Sequence, residues 1–329
     1  MLNPHLSLNK KIFDKDVLSV ATRDGFGEGL LELGANDPNV VVLSADLTES
    51  TRCEKFANKY PERFFQTGVA EQNMAAIAAG LGVSGKTAFI SSYATFSPGK
   101  NWETIRTTIL YNNANVKIAG HHSGLATGPD GATHQATEDI AIMRCLPNID
   151  VVIPADNIEA RKTTIAIGKT KKPAYIRFTR DKTPQITTDS TPFTLGKINT
   201  FWVSEQPQAT IFATGYMLYY ALLAAKQLEE ENINILVANM ATIKPLDTKT
   251  LSSLAKQTGA FLSIEDHQVA GGVGSTISEY LSTTFPIPME FIGLHNQFGQ
   301  SGTPKELLEK YDMGLSSIVK KTKEVIKRK

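Results

Sequence analysis

The sequence predicts an α/β protein made of two consecutive domains, each with a mostly parallel β-sheet flanked by helices. Short apolar runs rich in Val, Ile and Ala alternate with longer helix-forming stretches along most of the chain. The alternation lapses once, at residues 181–207, where Thr, Pro, Asp and Ser dominate and a linker is indicated. The 329 residues are enough for two ordinary domains. We therefore expect one domain at residues 1–190 and a second at residues 191–329.

The first domain is predicted to contain buried strands, because its apolar runs are continuous rather than alternating. The predicted strands are Val40–Ala45, residues 64–68, Thr87–Ser92, Val116–Gly120, Val151–Ala155 and Ala174–Thr179. The predicted helices are Arg23–Leu33, Glu71–Leu81, Asn101–Tyr111, His134–Leu146 and Asn157–Ile167. Such alternation is typical of a parallel sheet covered on both faces.

The second domain repeats this pattern after the predicted linker. Its predicted strands are Ala209–Thr214, Ile233–Asn239, Ala260–Glu265 and Pro288–Leu294. Its predicted helices are Tyr216–Glu230, Asp247–Thr258, one that begins near Gly274, and helices that close the chain. The run Ala270–Thr276 (AGGVGST) departs from the six-residue dinucleotide fingerprint, so we interpret it as a tight turn into a helix.

Composition excludes several classes of function. The 34 basic and 33 acidic residues nearly cancel, which argues against nucleic-acid or membrane-surface partners recognised through charge. No run of about 18 apolar residues is present to span a membrane. The two cysteines, Cys53 and Cys145, lack metal-ligand spacing, so we expect no metal site or disulfide and a cytoplasmic location. The first 16 residues are interpreted as an arm that packs on a neighbour.

Polar side chains follow five predicted strands of the first domain. Open parallel sheets bind ligands beyond the carboxyl ends of their strands, so these segments are where chemistry is expected. The segments are Asp46–Ser50, Val69–Asn73, Tyr93–Phe96, Gly120–His134 and Arg180.

Glu71 is the first residue of a predicted Ala-rich helix. A carboxylate at a helix N-terminus is favoured by the helix dipole and, taken alone, is more often a cap than a functional group. Here the small residues behind it would let a flat group approach, and Phe96 follows a neighbouring strand. A carboxylate at the edge of a stacked heteroaromatic ring is the arrangement that an aminopyrimidine requires.

The glycine-rich loop from His121 to His134 and two arginines suggest a substrate site. Adjacent histidines point in different directions, so a metal site is the less favoured interpretation. The glycines suit a backbone that folds over a substrate, with His122, Asp130 and His134 as partners of its hydroxyl and carbonyl groups. Arg23 and Arg180 match phosphate geometry, although a single arginine at such a position is more often simply solvated.

Three motifs resemble the pyrimidine domain of transketolases. They are SADLTES (Ser44–Ser50), GVAEQNM (Gly68–Met74) and GPDGATHQATED (Gly128–Asp139), in that order. Residues from about 190 onward resemble the transketolase C-terminal domain, so the resemblance covers nearly the whole chain. It implies a thiamine-diphosphate-binding pyrimidine domain followed by a transketolase C-terminal domain.

The resemblance implies a role for each motif residue. Glu71 would bond the ring nitrogen of the cofactor aminopyrimidine, and Phe96 would stack on that ring. The other residues implied at the cofactor are Asp46, Leu47, Tyr93 and Trp102. The residues implied at the sugar-phosphate substrate are Arg23, Ser50, His122, Asp130, His134 and Arg180, with His122 and His134 joining Glu71 in catalysis. Gly99 stands where the family carries an aromatic residue, which implies a differently built pyrimidine pocket.

The implied activity is transfer of a two-carbon ketol unit from a ketose phosphate to an aldose phosphate, through a thiamine-diphosphate enamine, in the pentose phosphate pathway. The chain lacks the family's GDG…N motif for metal and diphosphate, although it starts with Met and contains two predicted domains. We therefore expect a separate N-terminal subunit that holds the diphosphate and Mg²⁺ or Ca²⁺. Self-association through both domains of this chain and an α2β2 heterotetramer are also implied.

Three alternatives remain open from the sequence. A β subunit of a 2-oxo-acid dehydrogenase has a similar layout, but the His134–Gln135 pair and the SADL motif favour a transketolase. A deoxyxylulose-phosphate synthase shares the Tyr93-to-Phe96 spacing, but Asp46 argues against it. A cofactor-free regulatory or interaction subunit would not need Glu71, His134 and Arg180 to be intact.

Overall fold

The computed structural model describes residues 1–329 and contains three β-sheets. The strands are β1 (Ser19–Ala21), β2 (Val40–Ser44), β3 (Phe64–Gln66), β4 (Thr87–Tyr93), β5 (Val116–His121), β6 (Asp150–Val152), β7 (Ala174–Arg177), β8 (Lys182–Pro184), β9 (Asn199–Trp202), β10 (Ala209–Ala213), β11 (Ile235–Asn239), β12 (Thr242–Lys244), β13 (Phe261–Gln268) and β14 (Met289–Leu294).

Helices cover the sheets, and none of them is long and apolar enough to cross a membrane. They are α1 (Thr22–Asn36), α2 (Glu54–Lys59), α3 (Glu71–Val83), α4 (Trp102–Thr104), α5 (Asp139–Arg144), α6 (Asn157–Gly168), α7 (Met217–Glu230), α8 (Thr248–Thr258), α9 (Val273–Thr284), α10 (Pro304–Lys310) and α11 (Leu315–Lys327). A π-helical segment, Ile105–Leu110, continues directly from α4.

The larger sheet has seven strands in the order β12-β6-β7-β5-β4-β2-β3. All neighbours in it are parallel except β12, which pairs antiparallel with β6. The carboxyl ends of its central strands coincide, since Ser44 pairs with Ser91 and Ser92 pairs with Gly120. The segments that follow β2, β4, β5 and β7 therefore meet at one edge.

The second sheet has five strands in the order β14-β13-β10-β11-β9, and only β9 at its edge is antiparallel. Two mostly parallel sheets flanked by helices confirm the predicted fold class. One apolar cluster runs from the larger sheet, through residues such as Ile118 and Tyr175, to Phe212 and Leu236 of the second sheet. The two halves therefore share a core, and β12 extends the larger sheet with residues from the second half of the sequence.

The predicted linker at residues 181–207 contains ordered structure. Within it β8 pairs with β1, while β9 forms an edge of the second sheet. Phe193 and Leu195 pack against the core of the first domain. The segment is rich in turn residues but still carries enough apolar side chains to be held against both domains.

Two further predictions need correction. The helix expected at His134–Leu146 is confined to α5, because residues 131–138 run over the second domain instead of winding into a helix. The N-terminal arm packs on the second domain of its own chain, where Leu8 and Ile12 join the cluster that contains Phe201.

Candidate active site

Glu71 begins α3 at the carboxyl edge of the larger sheet. Its side chain is only 3% exposed, and its Oε2 lies 3.0 Å from Nζ of Lys100. Asn101 Nδ2 donates a hydrogen bond to the Glu71 carbonyl at 3.0 Å, which holds the start of the helix to the loop after β4. The carboxylate is thus buried at a helix N-terminus, with one nearby cation to balance its charge. Sequence reasoning missed Lys100, although it lies only four residues beyond Phe96.

Four aromatic side chains form one cluster at the same edge of the larger sheet. The ring of Tyr93 lies 3.8 Å from that of His122 and 6.0 Å from that of Phe96, centroid to centroid. His134 meets both Tyr93 and Phe96 edge-on, at 6.1 and 5.6 Å. The structure therefore brings together the predicted stacking residue, Phe96, from the loop after β4 and both predicted catalytic histidines from the loop after β5.

His122 is held as a neutral imidazole. It has a left-handed backbone (φ 53°), and its Nδ1 is buried without a hydrogen-bond partner. Burial, followed by the positive charges of Arg23 and Arg180, lowers the pKa of His122 to about 3. An orphaned ring nitrogen in a cationic surrounding is suited to hydrogen-bond a ligand group that is polar or anionic.

Positive charge is concentrated next to this cluster. Arg23 Nη1 donates to the Ser50 carbonyl at 2.8 Å, and its Nε is buried without a partner. Burial lowers the pKa of Arg23, and the neighbouring Arg52 and Arg180 lower it further, whereas Asp24 raises it. Gathering these arginines is unfavourable unless an anion binds among them.

The other two arginines of this group have carboxylate neighbours. Arg180 Nε lies 3.7 Å from Asp130 Oδ2, and Arg52 Nε lies 2.6 Å from Asp24 Oδ1. Sequence reasoning missed Arg52, whose signal was its place just after the SADLTES motif. The arginine cluster, Arg23, Arg52 and Arg180, is therefore assembled from three separate segments.

Asp46 and Leu47 lie immediately after β2, as predicted. Asp46 is exposed and has a left-handed backbone (φ 61°), and its N–H donates to Gln66 Oε1 at 2.7 Å. The Leu47 N–H donates to Ser44 Oγ at 3.3 Å. Trp102 is the exception among the cofactor predictions, because its indole N–H donates to the Ile142 carbonyl at 2.7 Å and its ring packs on the core. The structure does not bring Trp102 into the aromatic cluster.

These residues suit a flat heteroaromatic ring with a hydrogen-bonding edge. Glu71 offers a buried carboxylate, and Tyr93 and Phe96 offer partly exposed aromatic faces. Apolar side chains are exposed before and along the helix that Glu71 begins, since Val69 is 71% exposed and Ile77 is 40% exposed. The donor set thus fits an aminopyrimidine, and the open side leaves room for further parts of a cofactor.

Two family models match the chain. Residues 19–185 match the transketolase pyrimidine binding domain, and residues 200–318 match the transketolase C-terminal domain. The chain is 40% identical over 309 residues to a putative transketolase C-terminal section of Methanocaldococcus jannaschii, covering 93% of this chain and 96% of that protein. It is also 35% identical over 307 residues to a 6-deoxy-6-sulfo-D-fructose transketolase subunit of Clostridium sp., covering 93% and 95%.

A solved structure has the same architecture. A split gene transketolase described as an inactive beta4 tetramer superposes with a TM-score of 0.88 at 42% identity, covering 94% of this chain and 99% of that one. All three of these relatives are transketolase sections or subunits, which favours the transketolase family over a 2-oxo-acid dehydrogenase subunit or a deoxyxylulose-phosphate synthase.

Proposed function

The chain belongs to the transketolase family, and we propose that it is the pyrimidine-binding subunit of a two-chain transketolase. It would transfer a two-carbon ketol unit between a ketose phosphate and an aldose phosphate. The observation that carries the proposal is the joint placement of Glu71, the aromatic cluster and the arginine cluster at one edge of the larger sheet. Together they offer a ring-binding carboxylate, imidazoles for proton transfer and an anion site.

Thiamine diphosphate, when bound, supplies the carbon nucleophile and electron sink that ketol transfer needs. Glu71 would hold the aminopyrimidine and exchange a proton with it at the carboxylate, and Phe96 and Tyr93 would hold the ring by stacking. Lys100 now occupies Oε2, so it must share or release that oxygen when the ring binds. We expect the divalent metal and the diphosphate to be held by the partner chain.

His122 and His134 would move protons on substrate hydroxyl and carbonyl oxygens. Because His122 is held neutral, it can donate from one ring nitrogen and accept at the other. Asp130 is exposed next to Arg180, where it can accept a hydrogen bond from a sugar hydroxyl. The two histidines would thus act as general acids and bases, and Asp130 would position the sugar.

The arginine cluster would hold the anionic end of the sugar. Arg23 supports this best, since it is the member that forms no salt bridge with a carboxylate and it has an orphaned buried Nε. A phosphate and a sulfonate share the chemistry that this cluster recognises, and one relative is named for a sulfonated fructose. We propose the phosphate as the substrate group and treat a sulfonate as the runner-up.

The need for a partner chain follows from the open side of the site. The exposed side of α3 carries Ile77, which is 40% exposed, and Val83, which is 62% exposed, and Val69 just before the helix is 71% exposed. Exposed apolar surface of this kind marks an interaction site, and Glu71 lies at the end of the helix that carries it. A partner seated there would cover Glu71 and complete the cofactor site. Alone, the chain would self-associate and remain inactive.

A mixing experiment tests the proposal. The chain, a diphosphate-domain subunit from the same source, thiamine diphosphate and Mg²⁺ are combined, and ketol transfer from xylulose 5-phosphate is measured. We expect activity only with both chains, and a higher kcat/KM for phosphorylated than for sulfonated ketoses. Full activity of this chain alone, free of contaminating partner, would contradict the two-chain proposal. Absence of any transfer from the assembled pair would contradict the activity itself.

A further inference from the structure

The candidate site includes a loop whose position is set from outside its own domain. This histidine loop, residues 122–134, carries His122, Asp130 and His134. Its middle is a 3₁₀ segment, Leu125–Asp130, with a kink at Gly128, and the Thr127 hydroxyl ties the start of this turn to the His122 carbonyl by donating to it at 2.7 Å. Whatever fixes this turn therefore also fixes His122.

Asp266, at β13 of the second domain, bonds directly to the backbone of that turn. Its Oδ1 accepts the Leu125 N–H at 2.8 Å and its Oδ2 accepts the Ala126 N–H at 3.2 Å. The Tyr216 hydroxyl donates to Oδ2 at 3.0 Å, and the Asp266 residue is 2% exposed. Two amide groups of the turn thus have a buried carboxylate as their partner, 140 residues or more away in the sequence.

Gly124 shows how closely the two domains approach here. A Cβ at Gly124 would lie 2.1 Å from Asp266 Oδ2, and its φ of 70° also favours glycine. At the far end of the loop, Gln135 Nε2 donates to the Gln300 carbonyl at 3.0 Å and to the Gly128 carbonyl at 3.2 Å. The loop is therefore held at both ends by the second domain.

Arg177 holds the backbone of Asp266 by a hydrogen bond to its carbonyl. Its Nη2 donates to the carbonyls of Asp266 and Ala136 at 2.8 and 3.1 Å, and its Nε donates to Asp139 Oδ2 at 2.8 Å. Burial raises the pKa of Asp266, while the charge of Arg177 and the two amide donors oppose that rise. A buried carboxylate surrounded by so many donors has little freedom to move.

We propose that Asp266 is a positioning residue of the active site, through which the second domain sets the placement of His122 and Asp130 on the substrate. None of the candidate site residues comes from the second domain, so this contact gives that domain a part in catalysis. The inference rests on the proposed function only for its kinetic readout. The placement of the loop itself can be measured without any activity.

Glu265 provides a matched control. It is the neighbour of Asp266, is also fully buried, and also accepts two backbone N–H groups, from Val273 at 2.7 Å and Gly274 at 3.0 Å. Both donors belong to α9 of the same domain, so Glu265 holds a helix of its own domain and does not contact the loop. Asp266→Asn and Glu265→Gln each keep the side-chain shape and remove one acceptor, which should lower stability to similar degrees.

The variants are compared as complexes with the diphosphate-domain subunit, thiamine diphosphate and Mg²⁺. We expect Asp266→Asn to lower kcat for ketol transfer by about tenfold or more, since small misplacements of reacting groups are costly. Cofactor affinity, measured by calorimetry, should stay within about twofold, because the Glu71 site is untouched. Glu265→Gln should keep kcat within about twofold of the wild type. Tyr216→Phe removes one hydrogen bond to the Asp266 carboxylate and leaves the carboxylate in place, so it should lower kcat by a smaller factor than Asp266→Asn. It replaces Asp266→Asn in the comparison if that variant does not fold.

Hydrogen–deuterium exchange on this chain gives the second readout. Peptides that contain Leu125 and Ala126 should exchange faster in Asp266→Asn than in the wild type, and their exchange rate should be unchanged in Glu265→Gln. Equal kinetics or equal exchange in the two variants would overturn the proposal. If the wild-type complex transfers no ketol unit, the proposed function fails, whereas the exchange result still decides whether Asp266 places the loop.

Discussion

Removal of Arg23 should separate recognition of the anionic substrate group from stability of the fold. Arg23 donates to one carbonyl, leaves its Nε unpaired, and has two other arginines nearby. A charge-assisted contact to phosphate contributes about 1.5–3 kcal/mol, which corresponds to about 10- to 150-fold in kcat/KM. Arg23→Met should cause a loss in this range for erythrose 4-phosphate and little loss for erythrose.

The same substitution should not destabilise the free subunit. The lowered pKa of Arg23 means that the folded state disfavours its charge, mainly by burial and then by Arg52 and Arg180. Methionine retains most of the aliphatic packing and removes that charge. The free energy of unfolding in urea should therefore stay the same or rise while the activity falls.

Arg63 is a suitable control for this experiment. It is also partly buried and donates to two backbone carbonyls, those of Gly34 and Asp37, but its cationic group lies over Tyr60, away from the site. Arg63→Met should lower stability and leave the preference for phosphorylated acceptors unchanged. Equal losses for erythrose and erythrose 4-phosphate in Arg23→Met would refute the assignment of the arginine cluster.

Three other substitutions or titrations test the remaining parts of the site. Glu71→Gln should abolish turnover with the fold intact by circular dichroism, because the amide cannot exchange the ring proton; near-normal donor cleavage would contradict this role. Nitrogen-15 resonances of His122 in the free subunit should remain those of a neutral ring from pH 8 to pH 5, because its pKa is about 3. Since this folded-state pKa lies below the unfolded value of 6.5, His122 should lower the free energy of unfolding progressively as the pH falls from 6.5 towards 3. Ile77→Asp should prevent assembly with the partner in analytical ultracentrifugation, whereas Phe285→Asp, at the same 40% exposure in the second domain, should not.

Local patterns in the sequence were sufficient for most helices and strands and for the expectation that the polar segments after the strands meet at one edge. The Ala-rich run after Glu71 is α3, and the apolar runs at Val40, Thr87 and Val116 begin strands of the larger sheet. Because parallel strands place their carboxyl ends at one edge, the segments that follow them could be expected to converge. The period of the apolar residues and the turn-forming residues between them are short-range signals, which a single sequence carries in full.

The tertiary structure decided which groups touch. Only the folded chain places Lys100 on Glu71, adds Arg52 to the other arginines, and packs Trp102 against the core. The helix expected from His134 begins only at Asp139 for the same kind of reason, since Gln135 and Thr137 before it bond to the second domain. The contact of Asp266 with the histidine loop joins residues that are 140 or more apart. Contacts at such separations depend on how the two sheets pack, and packing is a property of the whole chain that no local run of residues encodes.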